Sequence, residues 1–329
     1  MEVAPDAQEA RLWMPLPASN AHQRLAEMQV ESAERHRFCA DPAYGNELLC
    51  VERSGARKGP VEVVLRATVK REAYRVLGDS NDRARVGPQD AATASEIQTF
   101  LRPDALVPVS GVIAAEARKA VRPGMTDLEK ARAMYDYLSR TFSYDKTVPG
   151  HGRGDALFAC DVRRGNCSDV HSLFIGMARS AGIPARFHIG FPLPADRASG
   201  EVTAYHCWAD FHVDGVGWVP TDISEAIQEP RRHEELFGGL DADRVEFTVG
   251  RDIVLGDALF GPQNFLIYPV GRVGDKPAAV TWQFHFEAVA EPSALSGASQ
   301  SPPRGAGVGV DLAPSNRAQF GESAARKSS

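Results

Sequence analysis

The segment Arg164-Gly165-Asn166-Cys167-Ser168-Asp169 constrains this chain more than any other, because it delivers a cysteine to the start of a helix and the helix to a run of strands. Val170, Leu173, Phe174, Met177, Ala178 and Ala181 follow at the spacing of one buried helical stripe, and Gly182 with Ile183-Pro184 supplies the stop. After Pro184 the apolar period drops to two. Ala185 to Phe191, Tyr205 to Val213, Gly217 to Asp222, Arg244 to Val249 and Val280 to Val289 all read as strands. Helices followed by an antiparallel run predict an α+β catalytic unit.

Upstream, Thr126-Asp127-Leu128-Glu129 has capping-box spacing and opens a helix whose buried face is Ala131, Met134, Tyr135 and Leu138. A further helix carries Ile113, Ala117, Ala120 and Val121 and breaks at Pro123-Gly124. The beginning of the chain looks β-rich: Ala10 to Pro17 reads as an edge strand closed by prolines, and Val61 to Val69 alternates as a half-buried strand. The expected organisation is a small β-sandwich-like unit over 1–85, a linker over 86–107, the catalytic unit over 108–290 and a disordered tail over 291–329, rich in Ser, Pro, Gly and Ala.

Composition excludes some partners. The 37 Lys and Arg stand against 43 Asp and Glu, a formal net charge of -6, so no overall electrostatic drive toward nucleic acid or an anionic membrane exists. No stretch approaches the roughly 20 apolar residues of a spanning helix, and Met1 to Asp6 lacks the basic-then-apolar order of an export signal, so the chain reads as cytoplasmic. The five cysteines make an odd count, which fits reduced thiols; Cys39 and Cys50 are the one pair to check for a disulfide.

The chemistry lies in Cys167, His206 and Asp222. A cysteine at a helix N-terminus meets unpaired N–H groups and the positive end of the helix dipole, which favour thiolate and can also hold an oxyanion. His206 and Asp222 lie on the arms of a hairpin marked by Asp214-Gly215. A two-residue turn there sets Asp222 opposite Cys207, on the wrong face for His206. A three-residue loop centred on Asp214 sets it opposite His206. The arrangement of nucleophile, base and orienting carboxylate therefore requires the longer loop or a bulge. Trp208 and Trp218 are candidates to flank the site, or to fill the core beside the sheet.

Gly165 to Asp169, Ala178 to Arg186, His206-Cys207-Trp208 and Gly217 to Asp222 together resemble the transglutaminase-like superfamily, over roughly Pro123 to Ala226. The resemblance implies a papain-like α+β fold with Cys167 as nucleophile, His206 as general base and acid, and Asp222 as orienter. It implies acyl transfer or hydrolysis on a peptide or protein amide through a thioester, with protein crosslinking or an inactive binding module as alternatives. Hydrolysis is favoured, and no cofactor is expected. Cys207 departs from the family, where a small residue such as Ala is usual. Tyr144 is the candidate second oxyanion donor, or else an aromatic anchor.

Rival constellations are weaker. Cys160, Cys167, His171, His206 and Cys207 hold metal-ligand chemistry but no C-x-x-C pair. Gly150 to Asp155 is a glycine-rich run with no phosphate-loop context, read as a mobile loop able to cover the cleft. Arg163-Arg164 and Arg231-Arg232 read as solvated surface, or as a preference for acidic substrate segments near the cleft.

Overall fold

The computed structural model describes residues 1–3, 7–57, 59–78 and 92–289, and the backbone of 307–311. The centre is a helix, α5 (Cys167–Ser180), laid against an antiparallel sheet of order β12-β11-β9-β14 formed by β9 (Ala185–Pro192), β11 (His206–Val213), β12 (Gly217–Thr221) and β14 (Arg244–Val249). Phe187, Ile189, Cys207, Ala209 and Phe211 of the sheet join Val170, Phe174 and Met177 of α5 in one core. Around it pack α2 (Val112–Ala120), α3 (Asp127–Thr141), α4 (Ala156–Val162) and α6 (Ile223–Gln228). The capping box of Thr126 and Glu129 forms, and the buried residues of α3 are Ala131, Met134, Tyr135 and Leu138 as its spacing predicts.

Helix α5 departs from the expected one-sided stripe: every residue from Cys167 to Arg179 is buried. Its polar residues are tolerated because each has a partner inside the fold. Arg179 shows this, with Nε donating to Ala185 O at 2.9 Å and Nη1 to Asp104 Oδ2 at 2.8 Å.

The N-terminal strands build two more sheets. One has the order β16-β15-β1-β4-β3, from β1 (Glu9–Pro15), β3 (Arg35–Ala40), β4 (Glu47–Ser54), β15 (Val270–Val273) and β16 (Lys276–Ala278). The other runs β10-β17-β18-β5-β2, from β2 (Gln23–Glu31), β5 (Val64–Arg71), β10 (Ser199–Glu201), β17 (His285–Val289) and β18 (Gly307–Asp311). Leu12, Met14, Leu49, Val51 and Leu65 share a second core. The sandwich is thus closed by strands that the sequence reading assigned to the catalytic unit and to a disordered tail. Period-two patterns reveal strands but not which distant strand they join, and the rest of the tail lies outside the described residues.

Two short pairs complete the order, β6 (Tyr74–Arg75) with β13 (Gly239–Leu240), and β7 (Ser143–Tyr144) parallel to β8 (Arg164–Gly165). The expected linker falls partly on residues 79–91, outside those described, and its second half holds a capped helix, α1 (Ala94–Thr99). Cys39 and Cys50, the one pair the sequence singled out to check, form a disulfide, so the reduced state expected of the cysteines holds only for Cys160, Cys167 and Cys207, which are free.

Candidate active site

Cys167 is the first residue of α5, with Asn166 as its N-cap. The Asn166 carboxamide accepts from Ser168 N at 3.0 Å, and the Asp169 carboxylate reaches back to Asn166 N at 3.0 Å. Asp169 also accepts from Gly152 N at 2.7 Å and Gly154 N at 3.0 Å. It therefore ties the glycine loop to the nucleophile's turn. That loop was expected to be mobile, but Asn264 Nδ2 also holds Arg153 O at 2.7 Å. Gly165 is required for space rather than for a turn: a Cβ there would sit 2.4 Å from Asp169 Oδ2.

Cys167 is 2% exposed. Its proton affinity is well below the usual thiol value, chiefly because the Cys207 thiol donates a hydrogen bond to it; burial opposes this, and the hydrogen bond and charge of His206 add to it. Cys207 is pushed the other way by burial and by the neighbouring sulfur. The two strand neighbours His206 and Cys207 thus both reach Cys167, although alternation along a strand sends them to opposite faces, a relation that governs strand interiors more strictly than this first residue of β11.

His206 Nε2 lies 2.6 Å from Asp222 Oδ2, leaving Nδ1 as the nitrogen available to the thiol. Burial alone would depress the imidazole, but the charge and hydrogen bond of Asp222 outweigh it and push the pKa up to about 10. Burial would raise Asp222, and the charges of His206 and Arg244 instead hold it well below the carboxylate range. The hairpin loop is three residues, with Val213 paired to Gly217. It is centred on Gly215, one residue beyond the expected centre, and Gly215 takes φ +75°. Extrapolating the register sets Asp222 against Trp208, which shares a strand face with His206. Beyond the strand end Asp222 caps α6, its Oδ1 accepting from Glu225 N at 3.0 Å and Ser224 Oγ at 2.9 Å.

Residues 114–223, which contain all three groups, match the family model of the transglutaminase-like superfamily. They form a transglutaminase-like domain. The chain is 25% identical to an uncharacterised protein of Haemophilus influenzae, with 82% of each covered. It is 28% identical over 116 residues to the uncharacterised protein YebA of Bacillus subtilis, a match to 31% of this chain and 16% of that one. Among solved structures, a protein described as a candidate cysteine protease from Cytophaga hutchinsonii superposes with a TM-score of 0.53 at 12% identity, covering 93% of both chains, a likeness of fold. Family match and geometry together support a cysteine-nucleophile enzyme.

The structure also shows groups that sequence reasoning missed, Arg244, Glu225 and Tyr205, and places His171, which it had named. Arg244 of β14 is 1% exposed and donates to Asp222 Oδ2 at 2.9 Å and Glu225 Oε1 at 3.1 Å. Glu225 Oε1 is 3.3 Å from His206 Nε2. Tyr205, directly before His206, places its hydroxyl 3.2 Å from Asn166 Nδ2 and 3.3 Å from Ser168 Oγ. His171 is a satisfied histidine: Nδ1 donates to Cys167 O at 2.8 Å, and Nε2 accepts from Ile223 N at 3.0 Å. Burial lowers its pKa, so it stays neutral and joins the nucleophile's turn to the helix Asp222 caps. The adjacency of Tyr205 to His206 and the i,i+4 spacing of His171 from Cys167 were visible in sequence; the contacts of Arg244, Glu225 and the Tyr205 hydroxyl join residues distant in the chain or facing across the site.

Of the flanking candidates, Trp208 lies beside the site, its ring 6.3 Å from that of His206 and beneath the Arg244 guanidinium at 5.0 Å. Trp218 does not. It sits at the turn end of the hairpin, against Phe100 at 5.3 Å and Arg186 at 4.1 Å. Tyr144 pairs in register with Gly165, two residues before the nucleophile; its hydroxyl is pushed up by burial and then by the Cys167 charge.

The five-residue metal constellation does not assemble, since Cys160 Sγ points instead to Glu116 Oε2 at 3.7 Å. The described residues hold one group with metal-ligand atoms in reach, His206, Asp222 and Glu225, but the Arg244 cation already bridges its carboxylates. Arg163 and Arg164 are paired, to Glu116 and Asp145, as is Arg232, to Glu235 and Asp241, rather than free to read an acidic substrate.

Proposed function

We propose that this protein hydrolyses an amide bond of a peptide or protein through a thioester on Cys167. The observation that carries the reading is the buried contact of Cys167 with His206, itself held at 2.6 Å by Asp222. The Cys167 thiolate attacks the carbonyl carbon, and the tetrahedral oxyanion faces the N–H groups of the first turn of α5. Tyr144 is the candidate second donor. The carbon–nitrogen bond then breaks as His206 gives its proton to the leaving amine, and an acyl-thioester remains. Neutral His206 next takes a proton from the acceptor, which attacks the thioester and frees the acid and the thiolate. Asp222 holds the imidazole in one tautomer throughout. Water is favoured over a protein amine as acceptor because no feature of the sequence marks an amine-acceptor site or a calcium loop.

The test is the pH dependence of iodoacetamide labelling at Cys167, read by peptide mass spectrometry in the natural chain and in His206→Ala. Rapid labelling at pH 6 that disappears in the variant is the expected result and leads directly to screening peptide amides. Slow labelling in both, with a midpoint near the free-thiol value of about 8.5, would overturn the reading in favour of a non-catalytic binding module.

A further inference from the structure

We propose that Arg244 is a positioning residue of the His206–Asp222 couple: by bridging Asp222 and Glu225 it fixes the carboxylate that orients the imidazole and shares the negative charge the imidazole faces. The proposal rests on the reading of Cys167 as nucleophile and extends the site beyond the family match at 114–223, to residues on α6 and β14.

The geometry is a closed ring of four groups. Asp222 Oδ2 receives both His206 Nε2 at 2.6 Å and Arg244 Nη1 at 2.9 Å. Glu225 Oε1 lies 3.3 Å from the same imidazole nitrogen and accepts Arg244 Nη2 at 3.1 Å. Two carboxylates therefore contact one imidazole, and one guanidinium contacts both carboxylates. Arg244 is itself fixed: Nε and Nη2 each lie 3.3 Å from Asp241 Oδ1, and Asp241 Oδ2 is held by Arg232 at 2.9 Å. The planar fork suits this role, whereas a lysine ammonium would supply the charge without spanning both acids.

The consequence lies in proton transfer. Facing His206 are the Cys167 thiolate and neutral His171 from α5, Asp222 and Glu225 at the start of α6, and Arg244 from β14. Without Arg244 no cation offsets the carboxylates and thiolate around the imidazolium, and it holds its proton too firmly to give it to a leaving amine. The arginine charge pulls its proton affinity down while leaving Asp222 ionised.

The test uses the full chain with Arg244→Met, Arg244→Lys, Glu225→Gln and the Arg244→Met/Glu225→Gln pair. His206 is titrated by NMR in a Cys167→Ala background, which reads the ring of charges with no thiol present; iodoacetamide labelling of Cys167 is read separately with the cysteine in place. Arg244→Met should raise the His206 midpoint by about one pH unit, a tenfold gain in proton affinity. Glu225→Gln should lower it, the double variant should return close to the natural value, and Arg244→Lys should keep the midpoint while losing rapid labelling. A midpoint unmoved in every variant, or moved alike in all of them, overturns the proposal, as does labelling undiminished in Arg244→Lys. An unreactive Cys167 in the natural chain would instead overturn the thioester reading, whatever the NMR titration gives.

Discussion

The central sheet carries two clusters of nearly the same make-up. In one, His206 lies between Asp222 and Glu225 with Arg244 against both. In the other, His188 lies between Asp210 Oδ2, 3.0 Å from Nε2, and Glu246 Oε1, 3.2 Å from Nδ1, with Arg186 on Asp210 and Arg71 on Glu246. Trp208 stands between them, its ring 5.7 Å from His188 and 6.3 Å from His206. The groups are alike, but their surroundings differ. Both nitrogens of His188 face carboxylates, which favour its protonated form and leave neither nitrogen for a reacting group. His206 spends Nε2 on its carboxylates and keeps Nδ1 for a sulfur at the head of a helix. The second cluster joins the sheet to the N-terminal sandwich, where Gln23 clasps Glu246 of β14 through N at 2.7 Å and O at 2.8 Å. A histidine between acids is a structural rivet until one ring nitrogen is left for chemistry.

The sharpest way to break that contrast is to remove each histidine's function in turn. Asp222→Asn and His206→Ala should each lower turnover of any amide substrate by about 10³-fold to 10⁴-fold, whereas His188→Gln should leave Cys167 labelling at its natural rate. His188→Gln should instead show in urea unfolding, with a loss of roughly 3 kcal/mol, because a buried ion pair has lost one partner. The pH profile sharpens this. The His188 cation binds its proton more tightly than its usual 6.5, with burial opposed and outweighed by Asp210 and Glu246. Its stabilisation is therefore complete below about 6.5 and declines as pH rises through the folded value. Unfolding free energy should fall with pH above 6.5 in the natural chain and fall less steeply in His188→Gln. His206 has the same sign up to about 10. Gln23→Ala should cost about 1–3 kcal/mol by leaving the buried N–H of Glu246 without the acceptor that Gln23 supplies, with reactivity unchanged. Smallest of all, Cys207→Ala should slow Cys167 labelling at pH 6 by about threefold, by removing the thiol that donates to the sulfur; an unchanged rate would reduce Cys207 to packing.

How far the sequence disclosed these clusters follows from the range of the interactions. Cys167, its helix and the box of Asn166 and Asp169 are local, and spacing alone marks them. The hairpin was legible to within one residue of loop centre, because the side-chain alternation of β11 and β12 needed only an odd loop to align Asp222 with His206's face. Arg244 was not legible: it lies on β14, whose neighbour is β9, and no periodicity says that its guanidinium passes Trp208 to reach Asp222. Trp218, near Asp222 in sequence, was a candidate either to flank the cleft or to fill the core beside the sheet. An extended strand carries it away at about 3.3 Å per residue, far enough to leave the site for Phe100.

The sandwich is built from both ends of the chain, and this sets an order of events during synthesis. Trp13 of β1 waits for Val270 of β15, and the backbone of β5 waits for β18 at Gly307–Asp311. At ribosomal rates the first strands emerge on the order of ten seconds or more before their partners exist. By then the contiguous segment around α5 has everything it needs to collapse. Strands β1 and β5 are made before the partners that complete them, and in the interval they present open edges that any passing strand could pair with.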